Sequence, residues 1–547
     1  MTVLFPFHVP IFIPRVLWDG LASALSSVRV IPKRIESSSK KGIFVRLDIP
    51  INFLTAPLIA DLFLLAISAI GREEVKDGTL GTKNIFPIDI MAFFLTLAYI
   101  AISIDASGII RWLAFKVLQK GGESGPKLFL YLYAFFFALA TFIGNDPIIL
   151  SGTAFLAYMT RVSSNIKHPR AWIHSQFAAA NIGSAILVSS NPTNLVLAGA
   201  FGIKFIEYTA NIIVPVVCTA IVLFPFLLYV VFPKEDEIPT HIEIHQLPEE
   251  LLHRRAVNPN IPNARGNAER EERQNSGGDP NENLSLEEIM NPFLDKKGAG
   301  FGALIMTVTL ITILALNAAS QSTGEHPVFW VTLPAAFVMF CWDVAFGWKN
   351  REGTRKIARD GRAEIQRAIA AEEEEKRRLA LESGQANAMV PSESHSTGPA
   401  DGSYEATHLD EAGSKGKGPA TDASQVSDVV AVDTKPRSAN TGTSESESGA
   451  TLVSIVKDSY LWCQETFPTV TAVVAHLPFA LVPFAFAMFI LVQALTTKGW
   501  VPVFAYGWDH WVRKTGTVGA IGGMGFLSVI MCNVGTLHSR GSSASHD

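Results

Sequence analysis

Uncharged apolar runs long enough to cross a bilayer as helices alternate with short polar breaks along most of this chain. A hydrocarbon layer about 30 Å thick takes roughly 20 apolar helical residues to span. Residues 53–70 and 86–104 read as two such spans, and 107–120 as an amphipathic helix lying along the interface with Arg111, Lys116 and Lys120 on its polar face. An aromatic-rich run at 128–143 meets the break Gly144-Asn145-Asp146-Pro147 and resumes to about 159, the pattern of a re-entrant hairpin. Over 171–202 an apolar helix is interrupted by Ser189-Ser190-Asn191-Pro192-Thr193-Asn194, which predicts a helix broken inside the membrane. A span at 209–232 closes this half.

Residues 233–297 are polar, mixed in charge and without apolar period, so they read as a loop. Spans at 299–317 and 327–347 precede a soluble insert. Its first part is a charged helix with i,i+4 pairs, in which Glu372–Glu375 form a solvated face, and 384–450 is too poor in apolar residues to fold. A span at 470–495, a Trp-rich interfacial stretch at 500–514 and a Gly-rich apolar run at 516–532 follow. The predicted organisation is an interfacial or cytoplasmic segment (1–50), a first transporter repeat (51–232), a cytoplasmic loop (233–298) and the opening spans of a second repeat (299–347). A charged helix and linker (348–450), the rest of an incomplete second repeat (451–536) and a polar tail (537–547) complete it.

Charge sets the orientation. Residues 1–50 hold seven Lys or Arg against three acids, which places the N-terminus in the cytoplasm. The loop after the hairpin carries Arg161, Lys167 and Arg170 without an acid and so falls on the same side. After the insert the order span, interfacial helix, hairpin-like run repeats that of the first half from the opposite face: 327–347 answers 53–70, 470–495 answers 86–104, and 500–514 answers 107–120. The expected fold class is therefore an all-α polytopic membrane protein, an inverted-repeat transporter with re-entrant hairpins and broken helices. Such repeats place substrate and ion sites near the bilayer midplane, at the ends of discontinuous helices.

Composition narrows the chemistry. The chain of 547 residues is 48% hydrophobic and 17% charged, with a net charge of -5 and no basic stripe, so no nucleic-acid partner is expected. Cys218, Cys341, Cys463 and Cys532 lie far apart without a CxxC pair and read as reduced packing residues. Pro6, Pro10 and Pro14 with no basic n-region argue against a signal peptide and for an interfacial segment. Gly519, Gly522, Gly523 and Gly525 lack the strand a nucleotide fingerprint needs and read as helix-packing residues. No Walker loop, Ser/His/Asp set or HExxH occurs, so neither an ATP-driven pump nor an enzyme is expected, and no cofactor beyond coupling to Na+ or H+.

The two breaks hold the candidate site. An intramembrane carboxylate costs about 2.5–3.5 kcal/mol on insertion scales, so Asp146 needs a role: cation ligand, proton carrier, or cap of the second hairpin arm with Pro147 at its first turn. Ser189, Ser190, Asn191, Thr193 and Asn194 offer neutral donors suited to an oxyanion that must also leave, with a plain helix kink as the structural alternative. Asn181 lines the same cavity or makes an interhelical hydrogen bond, and Gly183, Ser184 and Ala185 allow close packing. Asp61, Asp89 and Asp105 lie in or at the ends of spans, with Asp105 read as a helix-end residue rather than a relay.

At GNDPIILSGTAFLAYMTRV and QFAAANIGSAILVSSNPTNLVLAGAF the chain resembles the ion transporter superfamily, in its citrate-transporter-like domain and the branch of arsenite permeases and NhaD-type sodium/proton antiporters. The resemblance is most specific over 128–202 and implies a gated or elevator-like carrier with two hairpins and two broken helices around one site. It places Asn145, Asp146, Ser190, Asn191, Thr193 and Asn194 at the first tip and first broken helix, and Asn533, Gly535 and Thr536 where a second tip begins. Family members continue through a second hairpin arm, whereas this chain turns polar at Leu537, which implies an incomplete second repeat. The expectation is a secondary carrier of an arsenite-like or citrate/dicarboxylate-like anion in the plasma membrane or an organelle membrane, with room for a homodimer. The rivals are a sodium/proton antiporter in which Asp146 titrates and a membrane scaffold whose insert binds partners.

Overall fold

The computed structural model describes residues 7–30, 43–82, 85–122, 124–163, 166, 168–242, 256–267, 270, 291–319, 328–388 and 451–533. Strand β1 (Phe7–Pro14) pairs antiparallel with β2 (Phe44–Ile51), in a register running from Phe7 opposite Ile51 to Pro14 opposite Phe44. Helix α1 (Arg15–Ser27) lies between them in sequence, with Val16, Leu17, Leu21 and Leu25 exposed. Then come α2 (Thr55–Ala66), α3 (Arg72–Leu80), α4 (Pro87–Ala106), α5 (Ile109–Gly121), α6 (Gly125–Ile143), α7 (Asn145–Val162) and α8 (Arg170–Gly183). A 3-10 turn (Val188–Ser190) leads to α9 (Pro192–Phe201) and to α10 (Phe205–Phe226), which runs on as a π turn over Leu227–Val231. Last are α11 (Lys296–Ala319), α12 (Phe329–Ala388), α13 (Leu452–Thr466), α14 (Pro468–His476), α15 (Leu481–Thr497) and α16 (Trp500–Asn533).

Among the described residues six helical stretches are long and apolar enough to cross a bilayer: Pro87–Ala106, Gly125–Ile143, Phe205–Val231, Lys296–Leu316, Phe329–Arg378 and Pro468–Thr497. The all-α polytopic expectation holds, with one two-stranded sheet beside it. The chain divides into two units, residues 1–368 with 451–547, and residues 369–450. The second unit carries the end of α12, which runs to Ala388 and so continues as helix into the linker predicted at 384–450, whose residues 389–450 lie outside the described residues.

Lipid gives apolar helices little reason to prefer one another, so close approach through small residues and internal hydrogen bonds must hold them together. The hairpin bundle shows both devices. A Cβ on Gly183 of α8 would lie 2.5 Å from the Phe137 carbonyl oxygen of α6, and one on Gly152 of α7 would lie 2.7 Å from the Phe136 ring. Gln176, 1% exposed, donates from Nε2 to the Ile148 carbonyl at 2.8 Å and accepts from the Thr153 hydroxyl at 3.0 Å, fastening α8 to α7. Phe129, Phe136, Phe155 and Trp172 fill the space between these helices. A second cluster centres on α4, where Ile100 packs with Met339 of α12 and Val473 of α14.

The structure departs from the sequence reading in several places. The span predicted over 53–70 is only 12 residues of helix, about 18 Å at 1.5 Å per residue, because the chain turns through Ser68 in the left-handed region (φ 56°) and restarts as α3. The single span at 470–495 is two helices, because Pro478 holds Leu477 extended (ψ 133°) between α14 and α15. The span at 327–347 and the charged segment after it fall within the bounds of one helix, α12. The predicted N-terminal boundary at residue 50 cuts through β2, which belongs with β1. Two of the glycines read as packing residues, Gly522 and Gly525, face open space, whereas Gly523 sits against Trp511 and Trp508 where the chain bends at Gly516.

Candidate functional site

Each polar break forms where the local sequence cannot continue a helix. Gly144 adopts φ 101°, ψ 161°, a conformation that glycine alone enters at low cost, and so ends α6 and starts α7 within one residue. In the second break Pro192 opens α9, and Asn191 caps it by accepting the Thr193 backbone N–H at 2.9 Å. Asn194 then closes the interruption, donating to the carbonyls of Ser184 at 2.8 Å and Leu187 at 2.9 Å. Unwound backbone at membrane depth persists only where such partners satisfy it.

The two breaks touch. The Ser190 hydroxyl donates to the Thr141 carbonyl, and a Cβ on Gly144 would lie 3.1 Å from the Ser190 carbonyl oxygen. Thr141 donates in turn to the Gly183 carbonyl at 3.2 Å, and Asn145 Nδ2 donates to Asn181 Oδ1 at 3.2 Å. Asn181 also donates to the Phe177 carbonyl at 2.8 Å, and Ser184 donates back to the Asn181 carbonyl at 3.0 Å. Tyr208 of α10 reaches the Ala185 carbonyl at 3.2 Å. The hairpin tip and the broken helix are thus one hydrogen-bonded unit.

Within it the predicted residues divide by exposure. Ser189, Ser190 and Asn194 are buried, the last two bonded to backbone carbonyls, Asn145, Asn181 and Asn191 are half-buried, and Asp146 and Thr193 are exposed. Asp146 does not cap α7: the cap position is Gly144, no side chain bonds there, and Asp146 stands in the first helical turn. Asn533 is the last residue of α16, and its side chain, like Gly535 and Thr536, lies outside the described residues.

Two helix amino-termini, those of α7 and α9, therefore meet at Gly144 and Ser190, each carrying a partial positive charge. Asn145 and Asp146 follow Gly144 in the first turn of α7, and Asn191 and Thr193 stand at the start of α9, where Asn191 caps the helix. Helix amino-termini favour anions. Sequence reasoning missed Thr141 because it sits inside an apolar run that looks like lipid-facing helix, and Gln176 and Tyr208 because they lie outside the two breaks. Asp343 was also missed: it lies in α12, buried, and accepts from Ser103 at 2.8 Å and Tyr99 at 3.1 Å on α4.

Membrane-crossing helices with a break and a hairpin tip joined at one polar point define a polytopic membrane transporter. Residues 47–385 match the citrate transporter family, and the chain belongs to that family. It is also similar to the arsenical pump membrane protein of Escherichia coli, 31% identical over 151 residues that make up 27% of this chain and 35% of that protein. The putative arsenical pump membrane protein of Bacillus subtilis (strain 168) is 28% identical over 198 residues, 35% of this chain and 42% of that protein. The chain thus matches well under half the length of these relatives.

Proposed function

We propose that this chain is a secondary carrier of a small oxyanion, inorganic and arsenite-like or organic and citrate/dicarboxylate-like, bound between the hairpin tip and the first broken helix. The observation that carries the reading is the contact of Gly144 with Ser190, which sets the amino-termini of α7 and α9 side by side. In this account Asn145, Asn191 and Thr193 contact the anion. Ser190, Asn194 and Asn181 hold the backbone that shapes its pocket, and Ser189 is buried in the same turn. Neutral donors recognise an oxyanion without a desolvated ion pair that would hold it too tightly for turnover.

Asp146, exposed in the first turn of α7, favours cation coupling as part of the same mechanism. A carboxylate beside an anion repels it until a proton or Na+ neutralises it, so coupling ion and substrate load together. The family resemblance and the names of the arsenical pump relatives support the anion class, and the inverted-repeat arrangement belongs to the same proposal.

Uptake into proteoliposomes tests it. Radiolabelled citrate and arsenite are compared, each with and without a Na+ or pH gradient. Saturable uptake of one of them that Asn191→Ala weakens chiefly through a raised KM supports the reading. Uptake of neither anion, with Na+ efflux driven by a pH gradient instead, favours the sodium/proton antiporter.

A further inference from the structure

Asp105 stands in the last turn of α4 and is 8% exposed. Its Oδ2 accepts a hydrogen bond from the hydroxyl of Ser151, itself 6% exposed, and its Oδ1 has no partner. The groups whose charge reaches it are Arg111 of α5 and His476 at the end of α14, and it forms an ion pair with neither. A buried carboxylate with one donor and no counter-ion is costly while ionised and cheap once protonated. Helix-end placement, the role expected from sequence, does not account for a free acceptor at this depth.

The partner is what gives this carboxylate a function. Ser151 belongs to α7, the second arm of the hairpin, about 9 Å along the helix from the tip at Asn145 at 1.5 Å per residue. The Asp105–Ser151 bond therefore ties the substrate-bearing hairpin to α4, the helix at the centre of the second packing cluster. Its strength depends on a proton. A hydroxyl donating to a carboxylate is roughly twice as strong as one donating to a neutral acid. A cleft at the end of α4, lined by Ala106, Arg111, Pro259 and Phe293, comes within one residue of Asp105.

We propose that Asp105 is a proton-operated latch on the hairpin: ionised, it holds α7 through Ser151, and a proton taken from water onto its free Oδ1 weakens that bond and frees the arm. On return the same proton leaves to water and the bond re-forms, so nothing else is consumed. The inference rests on the carrier reading only for its consequence, the linking of proton uptake to substrate movement. The latch itself has readouts independent of transport.

The test uses the full chain in lipid nanodiscs. Infrared difference spectra between neutral and acid pH should show a protonated-carboxyl band that Asp105→Asn removes. Deuterium exchange of the α7 amides, corrected for the intrinsic effect of pH, should quicken on acidification in the wild type. In Asp105→Asn, whose amide still accepts from Ser151, exchange should be fast at every pH, and Ser151→Ala should behave the same way while keeping the carboxyl band. A pH response kept in Asp105→Asn but abolished in His476→Gln would overturn the proposal, as would a wild-type response absent altogether. Should proteoliposomes carry no anion while band and exchange behave as described, the carrier reading falls and the latch stands.

Discussion

The Ser190 hydroxyl donates to the Thr141 carbonyl across 49 residues of sequence, joining the helix that ends at the hairpin tip to the turn inside the broken helix. Through that bond two interruptions become one site, and its geometry makes several outcomes predictable.

Gly144→Ala should be poorly tolerated. The backbone at φ 101° is strained for any residue with a Cβ, and the added carbon would meet the Ser190 carbonyl oxygen at 3.1 Å. Strain of this kind costs about 1–3 kcal/mol. The thermal midpoint in detergent should fall, and substrate binding should weaken with it, since the tip and the break are displaced together.

Asn194→Ala should destabilise the break rather than alter the substrate contacts. The variant leaves the Ser184 carbonyl without its donor, while the Leu187 carbonyl keeps the Ser190 N–H, and an unsatisfied buried polar group costs about 1–3 kcal/mol. Deuterium exchange should rise over 184–194 while the amides of α4 stay protected. Asn191→Ala, which removes the cap on Thr193 as well as an anion contact, should cost less stability, about 1 kcal/mol.

The acid limb of stability should depend on Glu74. Its carboxylate accepts from its own backbone N–H and from the Gly71 N–H at 2.8 Å, and Lys498, the residue that follows α15, lies 3.7 Å away. These contacts hold its pKa below the usual glutamate range, the backbone bonds contributing most. A pKa lowered by folding adds stability that is complete above the unfolded value and is lost as pH falls through the folded one. Glu74→Gln should therefore lower the thermal midpoint at neutral pH and flatten its decline below the carboxylate range. A decline as steep as that of the wild type would assign the acid limb to other groups.

Much of this architecture was legible as pattern. Residues 86–104, 128–143 and 209–232 are apolar over a full crossing length, and Gly144 and Pro192 fall inside polar breaks where a helix ends and another opens. The contact between the breaks was legible only as an expectation from family likeness, because a Thr141–Ser190 bond joins segments that periodicity treats separately. The β1–β2 pair was missed because Pro6, Pro10, Pro14 and Pro50 obscure any alternation, although prolines suit the edges of a two-stranded ribbon. The gap between α14 and α15 was missed because hydropathy averages over Pro478. Asp105 and Asp343 were undervalued because sequence does not reveal which face of a fully apolar helix is buried in protein.

The central claim is that the hairpin tip and the first break line one water-reached anion site. With the native cysteines replaced by serine, Asp146→Cys and Thr193→Cys, both at exposed positions, are labelled in proteoliposomes with a membrane-impermeant maleimide. Tyr229→Cys, on the exposed face of the π turn that ends α10, serves as the lipid-side control. The account predicts that both test positions react and that the transported anion protects both over one concentration range, leaving Tyr229→Cys unaffected. Labelling that the anion leaves unchanged at both positions, or protects at one alone, would contradict it.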